Sequence, residues 1–127
     1  MIKRKVILLD DDLSCLDLMQ IMMNELDFET FPFTQWESRT IQDIITIQPN
    51  LIILDEVLIG LKGSEICMIL KSVNQLRTVP IVIASHCDEL AVTAKKAFAD
   101  GYIQKPYNMA EMEKLVRWFE KSVKQEK

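Results

Sequence analysis

The chain has 127 residues, with 15 Lys and Arg against 19 Asp and Glu, so its formal net charge is −4. This length suits one domain with one sizeable core and is too short for a (β/α)₈ barrel of roughly 250 residues. Apolar residues make up 49% and charged residues 27%, which are values of a globular chain and not of a disordered one. The acidic balance argues against a nucleic-acid surface, and the three glycines, at 60, 63 and 101, form no common nucleotide-binding loop.

The sequence also argues against membrane insertion, export and zinc binding. No apolar run approaches the ~18 residues of a membrane span, and the apolar run near the start is shorter than that of a signal peptide. Cys15, Cys67 and Cys87 are odd in number and widely spaced, which favours free thiols in a reducing cytoplasm. With a single histidine, His86, and no Cys-x-x-Cys, a zinc site is not expected.

Apolar strand-like segments alternate with helical stripes from end to end, which predicts an α/β fold with a parallel sheet. In chain order the predicted elements are a strand at 5–9, a helix at 13–26, a strand at 28–33, a helix at 34–47, a strand at 51–54, a helix from 64, a strand at 80–85, a helix at 89–98, a strand at 102–104 and a helix from 108.

Several local signals fix the predicted boundaries. Pro32 removes a backbone donor, so the second strand should lie at a sheet edge. Thr34 with Glu37 forms a capping box that predicts the start of the second helix. Ser64 is the predicted N-cap of the third helix, and Asn108 begins a weaker capping pattern for the last helix.

Polar residues follow four of the predicted strands. Asp10, Asp11 and Asp12 come after the first strand, Asp55 after the third, Ser85 ends the fourth, and Lys105-Pro106 follows the fifth. Because ligands in open doubly wound sheets bind beyond the carboxyl ends of the strands, these side chains are expected to form one pocket.

The residue types in that pocket suggest a particular chemistry. Converging carboxylates repel one another and resist desolvation unless a cation joins them, and oxygen ligands suit Mg²⁺. A lysine can pair with a phosphoryl oxygen, a serine hydroxyl can bond to another, and an aspartate can accept the phosphoryl group.

Four segments of the chain, VILLDDD, PNLIILDEVLIGLKG, VPIVIAS and YIQKP, resemble in order the signature segments of the receiver domain of bacterial response regulators in two-component signalling. The spacings also agree, since 55 − 10 = 45 and 85 − 55 = 30. The resemblance implies a flavodoxin-like, doubly wound, five-stranded parallel sheet in the order 2-1-3-4-5 with five helices. It also implies one stand-alone receiver domain over residues 1–127, or a receiver segment of a longer chain.

The resemblance assigns a role to each site residue. Asp55 is the phosphoacceptor, and Lys105 contacts the phosphoryl group. Ser85 supplies the switch hydroxyl and Tyr102 the switch aromatic ring. The implied Mg²⁺ ligands are Asp10, Asp11, Asp55 and the carbonyl of Val57, and the implied peptide bond before Pro106 is cis.

A receiver of this kind is a phosphoprotein of a phosphorelay. It takes its phosphoryl group from a histidine kinase or a phosphotransfer protein and catalyses only its own phosphorylation and dephosphorylation. The resemblance implies a downstream protein partner on the helix 4–strand 5–helix 5 face, no direct contact with nucleic acid or membrane, and a monomer or phosphorylation-dependent dimer in the cytoplasm.

The chain departs from the family pattern at several positions. Glu56 stands where an apolar residue is common, Ile59 where proline is usual, and Lys62 where an acid or amide is frequent. His86 replaces a small residue. The segment from Ser85 to Lys105 is about two residues shorter than the family norm, so the fourth helix or its entry loop should be trimmed.

Two other functions stay open on sequence grounds. His86 and Ile59 would fit a receiver-like interaction module that is not phosphorylated in use. Asp10-x-Asp12-Leu-Ser14 fits the opening motif of haloacid-dehalogenase-like phosphatases, with Asp10 as nucleophile. That reading needs a late acidic pair, for which only Asp100 offers itself, and it leaves Asp55 unexplained.

Overall fold

The computed structural model describes residues 3–58, 61–86 and 90–125. Ile59, Gly60 and Cys87 lie outside the described residues, as does position 89, where the fourth helix is predicted to begin. The elements in chain order are β1 Arg4–Leu9, α1 Leu13–Glu25, β2 Phe28–Phe33, α2 Thr40–Ile47, β3 Leu51–Asp55, α3 Gly63–Lys71, a 3₁₀ turn Asn74–Leu76, β4 Ile81–Ser85, α4 Leu90–Lys96, β5 Gly101–Gln104 and α5 Met109–Gln125.

The described strands form one parallel sheet in the order β2-β1-β3-β4-β5, which confirms the predicted flavodoxin-like topology with its five helices. Pro32 lies in β2, which is an edge strand of the described sheet, as predicted. A proline is tolerated there because an edge strand has no neighbouring strand on its outer side. Among the described residues no helix is both long enough and apolar enough to cross a bilayer.

The central strands are buried on both faces, as is usual for parallel sheets covered by helices. Alternate residues of β1 point to opposite layers: Val6 and Leu8 belong to one apolar cluster, and Ile7 and Leu9 to the other. The first cluster is completed by α1 and α5, and the second by α2, α3 and α4. Both layers therefore hold the sheet rigid beneath the loops at its carboxyl edge.

The capping-box prediction for α2 is wrong. The helix begins at Thr40, and Arg39 occupies the N-cap position. Thr40 and Glu37 close a turn ahead of the helix: the Thr40 hydroxyl accepts the Glu37 N–H at 2.9 Å, and the Glu37 carbonyl accepts the Thr40 N–H at 3.1 Å. Trp36 packs against the second apolar cluster, so the segment from Thr34 is used as a loop that covers the core.

The predicted N-cap of α3 is also wrong, because Lys62 holds that position and Ser64 lies inside the helix. The Ser64 N–H is bonded instead to the carboxylate of Glu56, at 2.9 Å. The prediction for α5 is confirmed, since the Asn108 side chain accepts the Glu111 N–H at 2.9 Å. The described part of α4, Leu90–Lys96, has seven residues.

Asp100 and Lys71 form a group of polar contacts, which we call the Asp100 clasp, at the opposite, amino edge of the sheet. The Asp100 carboxylate accepts the Ile81 N–H at 2.8 Å and pairs with the Lys71 ammonium at 2.6 Å. The same ammonium donates to the Val79 carbonyl at 2.9 Å. One lysine therefore joins the end of α3 to the segments that enter β4 and β5.

We expect Asp100→Ala to lower the free energy of unfolding by about 1–3 kcal/mol, because it removes the acceptor of a backbone N–H at the start of β4 and the partner of Lys71. The matched control is Glu113→Ala, which breaks the exposed i,i+4 pair with Arg117 and should cost less than about 0.5 kcal/mol. Urea denaturation measures both. Equal losses would show that the Asp100 clasp contributes no more than a surface ion pair.

Candidate functional site

The carboxyl ends of β1, β3, β4 and β5 lie side by side, as the topology requires. Backbone hydrogen bonds continue past the strands and fix the residues that follow them: Glu56 N–H donates to the Ala84 carbonyl at 2.9 Å, and Lys105 N–H donates to the Ser85 carbonyl at 2.8 Å. Asp10 N–H likewise donates to the Phe33 carbonyl at 3.1 Å. The site is therefore built on rigid strand ends and not on free loops.

Lys105 joins two buried carboxylates from distant parts of the chain. Its ammonium lies 2.8 Å from Asp55 Oδ1 and 3.2 Å from Asp10 Oδ2. The Lys105 side chain is only 10% exposed, that of Asp55 9%, and that of Asp10 0%. The Lys105–Pro106 peptide bond is cis, as the resemblance implies.

Asp11 completes a group of acids that we call the carboxylate cluster, Asp10, Asp11 and Asp55. One carboxylate oxygen of each lies within 4.8 Å of one oxygen of each of the others. Asp11 is partly exposed, whereas the other two acids are buried. With all three ionised, the single ammonium leaves the cluster with a charge of −3 + 1 = −2.

Asp12, by contrast, has a structural role. Its Oδ1 accepts the N–H groups of Ser14 at 2.9 Å and Cys15 at 3.2 Å, which caps α1. These backbone bonds hold the pKa of the Asp12 carboxyl below its ordinary value. The aspartate run therefore divides, because Asp10 and Asp11 face the cluster while Asp12 starts the helix.

Burial shifts the pKa values of Asp55 and Lys105 in opposite directions, because it disfavours the charged form of each. Burial raises the pKa of Asp55 above its ordinary value, helped by the charges of Asp10 and Asp11, and the hydrogen bond from Lys105 offsets this only in part. Burial disfavours the charge of Lys105, but the contacts with Asp55 and Asp10 outweigh it and raise the pKa of its ammonium. Lys105 therefore stays charged, whereas desolvation makes the ionised form of Asp55 less favourable than it is in water.

The remaining predicted site residues lie around this pair. Ser85 is buried at the end of β4, beside the backbone of Lys105. Val57 follows the Asp55–Glu56 segment and is 72% exposed. Tyr102, on the edge strand β5, keeps 49% of its surface exposed, and His86 is exposed.

The family comparison agrees with this geometry. Residues 6–117 match the model of the response regulator receiver domain. The chain belongs to this receiver family. A curated relative, the DNA-binding response regulator MtrA of Mycolicibacterium paratuberculosis, is 26% identical over 117 residues, which cover 91% of this chain and 50% of MtrA. This receiver therefore spans about half the length of the curated relatives it matches.

Solved structures show the same fold. The chemotaxis protein CheY4 of Vibrio cholerae superimposes with a TM-score of 0.82 at 19% identity, covering 93% of this chain and 99% of CheY4. A putative response regulator from Chloroflexus aurantiacus gives a TM-score of 0.85 at 19% identity, covering 93% of this chain and 98% of that protein. The shared fold thus persists at low sequence identity.

The donor set of this receiver fits a magnesium ion. The three acids of the cluster offer only hard oxygen ligands at a spacing that one cation can bridge, and their excess negative charge favours a dication. Asp10, Asp11 and Asp55 are the residues that would hold the ion.

Two features of the site are not identified by the sequence reasoning. Gly63 lies against the backbone of Asp55, where an added Cβ would meet the Asp55 carbonyl oxygen at 2.2 Å. Tyr107 lies half-buried near the cluster, and burial raises the pKa of its hydroxyl to about 12. The only signal for Gly63 is that a glycine occurs eight residues after Asp55, since 63 − 55 = 8.

The phosphatase alternative loses its acidic partner in this structure. Asp100 bonds to the first residue of β4 and so lies at the amino edge of the sheet, whereas Asp10 lies at the carboxyl edge. Asp55, which that alternative leaves unexplained, is in direct contact with Lys105.

We expect Gly63→Ala to destabilise the receiver by about 1–3 kcal/mol, because the new methyl group would overlap the backbone of Asp55, which is fixed by the sheet. Gly101→Ala is the matched control, since its Cβ would meet the Phe119 ring at 3.2 Å, a side chain that can shift. Its loss should be smaller. Urea denaturation compares the two, and a Gly63→Ala loss no larger than that of Gly101→Ala would contradict the close approach.

Proposed function

We propose that this receiver is the phosphoacceptor module of a two-component phosphorelay. Asp55 accepts a phosphoryl group from a histidine kinase or a phosphotransfer protein in the presence of Mg²⁺, and phosphorylation switches the surface that binds a downstream partner. The observation that carries the proposal is the contact of 2.8 Å between Lys105 and Asp55, inside a cluster of three carboxylates.

Exposure supports Asp55 as the acceptor over its neighbour Asp10. The Asp55 side chain keeps 9% of its surface open, whereas the Asp10 side chain is 0% exposed. Asp10 is also engaged through both oxygens, since Oδ1 accepts the Asp12 N–H at 2.9 Å and Oδ2 meets Lys105. A donor can therefore reach Asp55, while Asp10 holds the β1–α1 loop in place.

The chemistry is a single displacement at phosphorus. A carboxylate oxygen of Asp55 attacks the phosphorus, the bond between phosphorus and the donor's leaving group breaks, and the leaving group departs with the electron pair. Lys105 pairs with a phosphoryl oxygen, and the Ser85 hydroxyl bonds to another. Asp10, Asp11 and Asp55 would hold Mg²⁺, which would supply positive charge to offset the negative charge of the site.

No external substrate is turned over in this scheme, because the phosphoryl group stays on Asp55 until water removes it. The output must therefore pass through the surface. The α4–β5–α5 face carries exposed apolar side chains on all three elements, Val92, Tyr102 and Trp118, which suits a protein partner. Tyr102 is the proposed switch ring, and the molecule acts as a monomer or a phosphorylation-dependent dimer.

Context supports a cytoplasmic signalling role for residues 1–127 as a single receiver domain. Cys15 and Cys67 are free thiols, as a reducing compartment favours. DNA binding is stated for the MtrA relative, whereas the net charge of −4 on this chain supports a function without direct contact with nucleic acid.

The test is incubation with acetyl phosphate and Mg²⁺, followed by intact-mass measurement. Wild type should gain one phosphoryl group, alkali-labile because it is an acyl phosphate. Asp55→Asn should gain none, and a chelator should abolish the adduct in wild type.

Asp100→Asn is the matched control, because it removes a carboxylate from the opposite edge of the sheet and should react like wild type. An adduct of equal yield in Asp55→Asn would disprove the assignment. Loss of the adduct in Asp10→Asn with retention in Asp55→Asn would instead favour the phosphatase-like use of Asp10.

A further inference from the structure

Glu56, the residue directly after the proposed acceptor, is bonded across the loop to the start of α3. Its Oε2 accepts the Ser64 N–H at 2.9 Å, and its Oε1 accepts the Ser64 hydroxyl at 3.0 Å. Its carbonyl accepts the Gly63 N–H at 2.9 Å. Glu56 therefore accepts three hydrogen bonds, and these join the end of β3 to the start of α3.

The residue after Glu56 is Val57, whose carbonyl the resemblance to receivers assigns as a Mg²⁺ ligand. Val57 forms an isolated antiparallel bridge with Lys62, just ahead of Gly63. The bonds that Glu56 accepts from Gly63 and Ser64 therefore lie directly beside this bridge. If they were lost, the Val57 carbonyl would be held less firmly.

Glu56 is not placed to bind the ion itself. Both of its carboxylate oxygens are engaged by Ser64, and the acids that approach within 4.8 Å of one another are Asp10, Asp11 and Asp55. A carboxylate at the N-terminus of α3 is also favoured by the exposed N–H groups and the helix dipole, which holds it in this orientation.

Gly63 makes the arrangement stiff. Its Cα lies so close to the acceptor that an added Cβ would be 2.2 Å from the Asp55 carbonyl oxygen and 3.0 Å from Glu56 Cα. The N-terminus of α3 therefore packs directly on the backbone of Asp55 and Glu56. The bonds from Glu56 to Ser64 hold that packing in one position.

We propose that Glu56 and Ser64 form a positioning pair that sets the Mg²⁺ affinity of the receiver by holding the Val57 backbone beside the carboxylate cluster. The inference rests on the proposed function, because it assumes that the cluster binds Mg²⁺. Without the pair, the loop must be ordered when the ion binds, and the entropy of that ordering weakens binding. Outer contacts that orient ligands commonly change metal affinity by about 10- to 100-fold.

The test is a Mg²⁺ titration followed by Trp36 fluorescence in a Trp118→Phe background, so that one of the two tryptophans reports. Trp36 and Asp11 line the same recess, which places the reporter beside the site. We expect Glu56→Leu to raise the Mg²⁺ dissociation constant about tenfold. Ser64→Ala keeps the backbone bond and the charge, so it should raise the constant by a smaller factor.

Three comparisons separate positioning from charge and from folding. Glu65→Gln removes a carboxylate from the first turn of α3 at an exposed position and should leave the affinity unchanged. The double variant Glu56→Leu/Ser64→Ala should bind no more weakly than Glu56→Leu, because the two residues act as one unit. If Glu56→Leu does not fold, Ser64→Ala and Glu56→Gln carry the test.

The outcomes distinguish this inference from the proposed function. Wild-type affinity in Glu56→Leu, or an equal loss in Glu65→Gln and Glu56→Gln, would overturn the positioning pair while leaving Asp55-dependent phosphorylation intact. Absence of any Mg²⁺ response in wild type would overturn the metal site on which both depend.

Discussion

Three carboxylates held against one ammonium at the carboxyl edge of the sheet are the constraint on which the rest of this receiver depends. Lys105 reaches both Asp10 and Asp55, and Asp11 brings a third acid within bridging distance. Such a group is costly to assemble, because like charges repel and buried carboxylates lose their hydration. Two closely packed apolar layers fix the strands on which the group stands, and its excess negative charge favours a bound cation.

Several residues next to the carboxylate cluster hold its loops in place and are not part of the cluster itself. Asp12 caps α1 and so fixes the loop that carries Asp10 and Asp11. Gly63 lets α3 pack directly on the backbone of Asp55, and Glu56 fastens the start of that helix. Asp55 is therefore held firmly on the β3 side, whereas the β5 edge presents an exposed ring, Tyr102, on the surface proposed for the partner. A rigid site around Asp55 and an accessible β5 edge both suit the proposed function, in which phosphorylation of Asp55 alters binding of a partner.

The alternation of strands and helices predicted a parallel α/β sheet with Asp10, Asp55, Ser85 and Lys105 at one edge, because the carboxyl ends of parallel strands meet there. The strand order came from the resemblance to receivers. Local signals were less reliable. The Thr34 capping box was overridden by the turn between Glu37 and Thr40 and by the packing of Trp36, neither of which is visible in a four-residue pattern. Ser64 resembles an N-cap in sequence, yet its partner is Glu56, eight residues earlier, since 64 − 56 = 8. Contacts that span a loop depend on how the chain returns, which a linear pattern does not contain.

Thermal and urea unfolding of wild type and Asp55→Asn, each in chelator and in saturating Mg²⁺, test the charge constraint most directly. Because Asn keeps an oxygen for Lys105 but removes a buried charge, the metal-free variant should be more stable than metal-free wild type. Mg²⁺ should stabilise wild type by about 1–3 kcal/mol and the variant by less. A metal-free Asp55→Asn that is less stable than wild type, with no response of wild type to Mg²⁺, would contradict the account.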